Sequence, residues 1–255
     1  MRLLSYNIQD GGRGREAAIA AVLRDVRPDL VLLQEAIDPD AVARIAEGAE
    51  MPQWGARRGL SNGFLSRIPL ADHSWFTARR TRHSFLEVVL ADGRTRCFGL
   101  HLRAWFSNWV ERQRVVEIRA LLEAIRAHDT GLHVVAGDFN SLAPGALLDT
   151  TRMPGWIRGM ISLSGGDIAR TTIQAMTDER YVDAWRALHD GDAGLTFPTW
   201  DPQVRLDYVF VPARARERIV AAEIVRGGRV REASDHFPLL VELARDDAPL
   251  PAPAD

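Results

Sequence analysis

Residues 133–140 read His133-Val134-Val135-Ala136-Gly137-Asp138-Phe139-Asn140, or HVVAGDFN. The apolar run has the length and composition of a buried strand, and it ends in a carboxylate and a carboxamide two positions apart. In extended chain, residues i and i+2 point to one side, so Asp138 and Asn140 are expected to project together from the strand end. Taken singly, both are also ordinary turn formers, because short polar side chains bond nearby backbone groups.

Other apolar runs end in the same way. Residues 2–8 deliver Asn7, DLVLLQE at 29–35 delivers Glu35, and the run through CFGL ends at His101. RLDYVFV at 205–211 sets Asp207 at a strand start, and Ser234-Asp235-His236 precedes FPLLVEL. Each has a plain alternative as a turn residue, a loop start, a satisfied core histidine or a cap. As a set they form an inventory of oxygen ligands suited to a hard cation, Mg²⁺ or Mn²⁺. Zinc suits it less, because no His/Cys cluster with ligand spacing occurs. A hard cation with Asp and His is what phosphoester hydrolysis requires: charge neutralisation, an oriented water, and donors to the transition state.

The chain has 255 residues, 46% hydrophobic and 26% charged, which fits an ordinary globular protein with a substantial core. Its formal charge of −2 gives no global attraction to nucleic acid or anionic membrane. All 32 basic residues are Arg, a side chain suited to bidentate phosphate contacts wherever it faces a pocket. Cys97 is the single cysteine, so no intrachain disulfide can form. The opening MRLLSYNIQ is already strand-like, and no apolar run approaches the ~20 residues needed to span a bilayer. A cytoplasmic, monomeric protein is expected. No internal linker divides the chain, so one domain is expected over 1–245, with the tail DDAPLPAPAD (246–255) disordered.

Strands are expected at 2–8, 30–34, 63–66, 85–90, 96–102, 132–136, 206–211, 219–225 and 237–243, with helices at 15–26, 39–46 and about 108–127. In the third helix Val115, Ile118, Leu122 and Ile125 recur at helical spacing and should face a sheet. Strands dominate and helices interrupt them, which suggests two packed sheets covered outside by helices. Strand order does not follow from the sequence.

The ordered series SYNI (5–8), DLVLLQE (29–35), FLSRIPL (64–70), HLRA (101–104), GDFNS (137–141), TFPTW (196–200), RLDYVFV (205–211) and SDHFPL (234–239) resembles the endonuclease/exonuclease/phosphatase, or DNase I-like, superfamily. The resemblance spans almost the whole chain. It implies a four-layered α/β sandwich of two mainly antiparallel sheets flanked by helices, with the active site at one end of the sheets. It implies that Glu35 is the principal metal ligand, with Asn7 contacting metal or phosphate and Asp235 completing the metal shell. Asp138 would orient or deprotonate the attacking water, and Asn140 would hydrogen-bond the phosphate. His236 would contact the scissile phosphate, oriented by Asp207. His101 matches a histidine of the DNase I, sphingomyelinase and deadenylase branches, where it binds phosphate or protonates the leaving oxygen. Exonuclease III-like members generally use a tyrosine there, so His101 weakens an abasic-endonuclease reading. A second departure is NIQD, with Gln9 where abasic endonucleases commonly place Asp; Asp10 follows as a ligand or a loop residue.

Three features bear on substrate. Trp105, Phe106 and Trp109 follow His101 and can stack bases, dip into lipid or cover the helix as core. Arg79-Arg80-Thr81-Arg82-His83, with Arg103, Arg112 and Arg114, can form a phosphate-guiding rim or a solvated charge cluster. Residues 152–177 can form an apolar lid, or a helix packed on the sandwich, which is the expectation. The functions open at this point are a metal-dependent phosphodiesterase on nucleic acid, the same chemistry on lipid or small-molecule phosphoesters, and a silent interaction module. Nucleic acid is favoured over a lipid headgroup, with Asn7, Arg82, Arg103 and Trp105 as substrate contacts and Mg²⁺ or Mn²⁺ as cofactor.

Overall fold

The computed structural model describes residues 1–79, 81–126 and 131–244. Arg80 of the basic stretch, Ala127 at the expected end of the third helix, and the tail 246–255 lie outside the described residues.

The expected apolar runs become strands, in order β1 (Arg2–Asn7), β2 (Leu30–Gln34), β4 (Gly63–Ser66), β6 (Phe85–Leu90), β7 (Arg96–His101), β8 (His133–Asp138), β10 (Asp207–Pro212), β11 (Ile219–Ile224) and β12 (Leu239–Leu243). Three further strands, β3 (Gln53–Gly55), β5 (Leu70–Phe76) and β9 (Tyr181–Asp183), were not expected. Strands β3 and β9 are three residues each, too short to show a period. β5, LADHSWF, is an edge strand whose middle residues are exposed, so its polar composition conceals it.

The strands form two six-stranded sheets, ordered β11-β12-β1-β2-β4-β3 and β5-β6-β7-β8-β10-β9. Each contains one parallel pair, β1/β2 and β7/β8, and is otherwise antiparallel. Alternation along β8 shows how both faces are covered. Val134 and Ala136 join the core that contains Leu4, Leu32 and Phe64 of the first sheet. Val135 joins a second core with Ile118, Leu121, Leu122 and Ile125 of α3 (Asn108–Arg126). Val115 is only half-buried, and Leu121 takes the place expected for it.

Helix α1 (Glu16–Val26) buries Ile19, Val22 and Leu23 on one face against the first sheet and ends at Arg27 in the left-handed region. Helix α2 (Pro39–Gly48) begins at Asp38, whose carboxylate accepts from Asp40 N at 3.2 Å. The order helix, sheet, sheet, helix is the four-layered sandwich. After β8 come α4 (Gly155–Leu163) and α5 (Thr171–Asp178), then α6 (Ala184–Leu188) and α7 (Val230–Ala233). Helix α5 packs Ile173, Ala175 and Met176 into the second core. No helix among the described residues is long and apolar enough to cross a membrane.

Candidate active site

Parallel pairing sets the ends of two strands side by side, and it needs a crossover, supplied by α1 after β1 and α3 after β7. In the first sheet Asn7 stands opposite Gln34, with Glu35 next in the chain. In the second sheet His101 stands opposite Asp138, and the antiparallel neighbour β10 sets Asp207 opposite Asp138 as well. One ladder row therefore carries His101, Asp138 and Asp207.

The sheets meet through these ends. Asn7 Nδ2 donates to Glu35 Oε1 and to Asp138 Oδ2, each at 3.1 Å. Asn7 Oδ1 accepts from Gln9 N at 2.9 Å, and Glu35 Oε2 accepts from Asp10 N at 2.6 Å. Asp10 thus reaches Glu35 through its backbone. His101 Nε2 lies 3.6 Å from Asp138 Oδ2 and His236 Nε2 lies 3.9 Å from it. On its other nitrogen, His236 Nδ1 bonds Asp207 Oδ2 at 2.9 Å. Phe197 covers the His236 ring, with centroids 4.7 Å apart. All of Asn7, Asp138, Asp207 and His236 are buried, whereas Glu35, His101, Asn140 and Asp235 are partly open.

Asp138 and Asn140 are joined through the Asn140 backbone, not by strand alternation. Asn140 adopts φ 49, so the chain turns after Asp138, and Asn140 N donates to Asp138 Oδ1 at 2.8 Å. Asn140 Nδ2 donates to Leu102 O at 3.0 Å, tying the GDFN turn to the segment after His101. An Asx-type turn and a polar site are here the same residues.

Burial raises the Asp138 carboxyl above its ordinary range, opposed by the charges of His236 and His101 and reinforced by Asp207. Burial would lower His236, but Asp207, through charge and hydrogen bond, and then Asp138 and Asp235, push it up to about 10. Burial also raises Asp235, against His236, and the Glu35 charge adds to the rise.

These features fit a cation. Glu35 and Asp235 repel one another at a half-open position, and Asp207 Oδ1 is buried with no hydrogen-bond partner. Oxygen donors of this kind suit Mg²⁺ or Mn²⁺. Asp138, Asp207 and His236 also bring ligand-capable atoms within 4.8 Å of one another. In that group His236 Nδ1 and Asp207 Oδ2 are engaged with each other, which leaves His236 Nε2 and Asp207 Oδ1.

Two serines and a buried ion pair complete the site, and little in the local sequence marks them. Ser61 Oγ accepts from Glu35 N at 3.0 Å and contacts His101 Nδ1 at 2.6 Å, bridging the sheets. Ser234 Oγ donates to Asn7 O at 2.6 Å and accepts from His236 N at 3.3 Å. Glu111 and Arg114, both buried, pair at 2.7 Å, and Glu111 accepts from Ser141 Oγ at 2.9 Å. Only SNG before β4 hints at Ser61, as a turn.

Of the expected rim residues, Arg82 and Arg103 line a cleft with His83, Gln113 and Glu117, whereas Arg114 is buried against Glu111 and forms no rim. Trp105 and Trp109 are 54% and 55% exposed, so they are not core, while Phe106 packs against a third core cluster.

A model of the Endonuclease/Exonuclease/phosphatase family matches residues 4–236. No curated protein matches the chain. Among solved structures, an endonuclease/exonuclease/phosphatase from Beutenbergia cavernae is 23% identical with TM-score 0.71, over 95% of this chain and 71% of that one. The 3′ phosphatase NExo from Neisseria, bound to a product DNA hairpin, is 18% identical with TM-score 0.73, over 96% of this chain and 100% of that one. An AP endonuclease from Archaeoglobus fulgidus is 17% identical with TM-score 0.73, over 95% and 99%. At these identities the likeness shows a shared fold.

Proposed function

From the premise that the chain belongs to the endonuclease/exonuclease/phosphatase family, we propose that it is a divalent-metal-dependent phosphodiesterase acting on nucleic acid. One observation carries the reading: Asp138 is bonded to Asn7 and faced by both His101 and His236 at the abutting ends of two sheets. The neighbours solved with DNA support nucleic acid over other phosphoesters.

Glu35 and Asp235 would hold the cation, with Asn7 beside them. When bound, Mg²⁺ or Mn²⁺ would neutralise phosphate charge and favour attack at phosphorus. Asp138 acts as the base: burial raises its proton affinity, which suits it to take a proton from water in line with the scissile bond. His236 stays cationic beside Asp207 and donates from Nε2 to a phosphate oxygen. His101, held at Nδ1 by Ser61, presents Nε2 to the same space and protonates the leaving oxygen or binds phosphate. Asn140, fixed by its bond to Leu102 O, lines the phosphate position.

A second reading, hydrolysis of lipid or small-molecule phosphoesters, is favoured by one observation. On α4 Trp156 and Leu163 are 61% and 91% exposed. A screen with Mg²⁺ or Mn²⁺ over single- and double-stranded DNA, RNA, abasic DNA, sphingomyelin and simple phosphodiesters separates the two. Asp138→Asn serves as the inactive control. Turnover of DNA or RNA is expected; turnover of sphingomyelin alone overturns the nucleic-acid reading.

A further inference from the structure

We propose that Trp105 and Trp156 form a stacking site for one unpaired nucleobase of the substrate strand, next to the hydrolytic centre. This rests on the nucleic-acid reading and specifies it: the preferred strand carries an unpaired base beside the cleaved phosphate.

Trp105 is held at φ 103, a backbone conformation that L-residues rarely adopt and keep only where their surroundings impose it. They do. The Arg114 guanidinium, itself 1% exposed, donates from Nη2 to Trp105 O at 2.6 Å and from Nε to Arg103 O at 2.8 Å. Its third bond goes to buried Glu111. A buried arginine fork thus fixes the turn, while the indole on that turn stays 54% exposed. Core packing does not explain a bulky aromatic kept outside in such a conformation.

Its partner comes from a different element. Trp156, on α4, meets Trp105 edge to face at 5.9 Å, forming a corner in which both indoles stay more than half exposed, 54% and 61%. Asn108 fastens this wall by donating from Nδ2 to Ser164 O at 2.8 Å and accepting Ala169 N at Oδ1, also 2.8 Å. The chain keeps the corner within reach of the centre. Leu102 N donates to Asp138 O at 2.9 Å, and Trp105 is four residues past His101, at most about 14 Å along extended chain. Alongside, the Arg103 guanidinium lies 5.5 Å over the Trp109 ring and brings positive charge to the same turn. An aromatic corner flanked by a cation suits a base with its phosphate.

The test couples the protein to the substrate. A fluorescent single-stranded thymidine oligonucleotide is compared with strands in which one base-less deoxyribose spacer is stepped along the chain. Binding to Asp138→Asn is read by anisotropy with Mg²⁺. At one spacer position the intact strand should bind about ten-fold more tightly, and Trp105→Ala or Trp156→Ala should each reduce that ratio towards one. Trp105→Phe should retain most of it. An unchanged ratio in both alanine variants, or a ratio of one at every position in the parent, overturns the stacking site and leaves the nucleic-acid reading standing. If no oligonucleotide is bound or cleaved while bis(p-nitrophenyl) phosphate is hydrolysed, the nucleic-acid reading fails and the site falls with it. Loss of phosphatidylcholine-vesicle binding in the alanine variants, with base preference intact, would reassign the corner to a lipid surface.

Discussion

The two parallel seams have the same construction and opposite electrostatics. Each is a strand, a crossover helix and a parallel strand, β1-α1-β2 and β7-α3-β8, and each ends in a carboxylate. At the first, Glu35 is partly open and accepts two hydrogen bonds. At the second, Asp138 is buried between two histidines, and burial raises its pKa. The same topology thus supplies a partly open carboxylate at one seam and a buried one, its proton affinity raised by that burial, at the other. Chemistry is divided by depth rather than by residue type.

The most severe way to break this division is to remove the base. Asp138→Asn and His236→Ala should each lower kcat by about 10⁴-fold, near 5.5 kcal/mol, with far-UV circular dichroism unchanged. Near-normal turnover in both would dissolve the distinction between the seams. The second seam is also braced from behind by Glu111 and Arg114. Glu111→Ala leaves Arg114 buried without its partner and should cost about 3–5 kcal/mol in urea unfolding. A loss under ~1 kcal/mol would mean that the brace is dispensable.

Smaller effects sharpen the contrast. Glu35→Gln should raise the Mg²⁺ concentration for half-maximal activity at least ten-fold while excess Mg²⁺ restores much of kcat, unlike Asp138→Asn. An unaltered Mg²⁺ requirement would move the cation away from the first seam. The finest probe is the His236 proton. In metal-free protein its NMR titration should be flat between about pH 5 and 8, because the pKa is pushed up to about 10. In Asp207→Asn it should move down towards the ordinary value near 6.5. A folded-state pKa above the unfolded one gives stability that is fully present below about 6.5 and is lost as pH rises through about 10. A wild-type midpoint near 6.5 contradicts the assignment.

The strand-end residues were legible because a polar side chain closing an apolar run is a local signal, as at Asn7, Glu35, His101 and Asp138. Their family order then gave the sandwich. What stayed hidden depends on distance in the chain. Ser61 looks like any turn serine until β4 brings it between Glu35 and His101. Arg114 was expected on a positive rim, yet it is buried with Glu111, three residues away on the same helix. Asn140 meets Asp138 through its backbone N–H rather than by the same-side projection expected of extended chain, since a left-handed backbone is not visible in two letters. The edge strand β5 was concealed by the polarity that protects it.

The bond between Asn7 and Asp138 spans 131 residues, and that between Ser234 and Asn7 spans 227. Contacts of such separation form late, because loop closure precedes any gain from them. A chain still being synthesised has its first seam long before it has Asp138, and it has Asp138 before His236 emerges. A chain ending anywhere between the seams carries Asn7 and Glu35 without Asp138 or His236, so the whole cluster depends on the last stretch of the sequence.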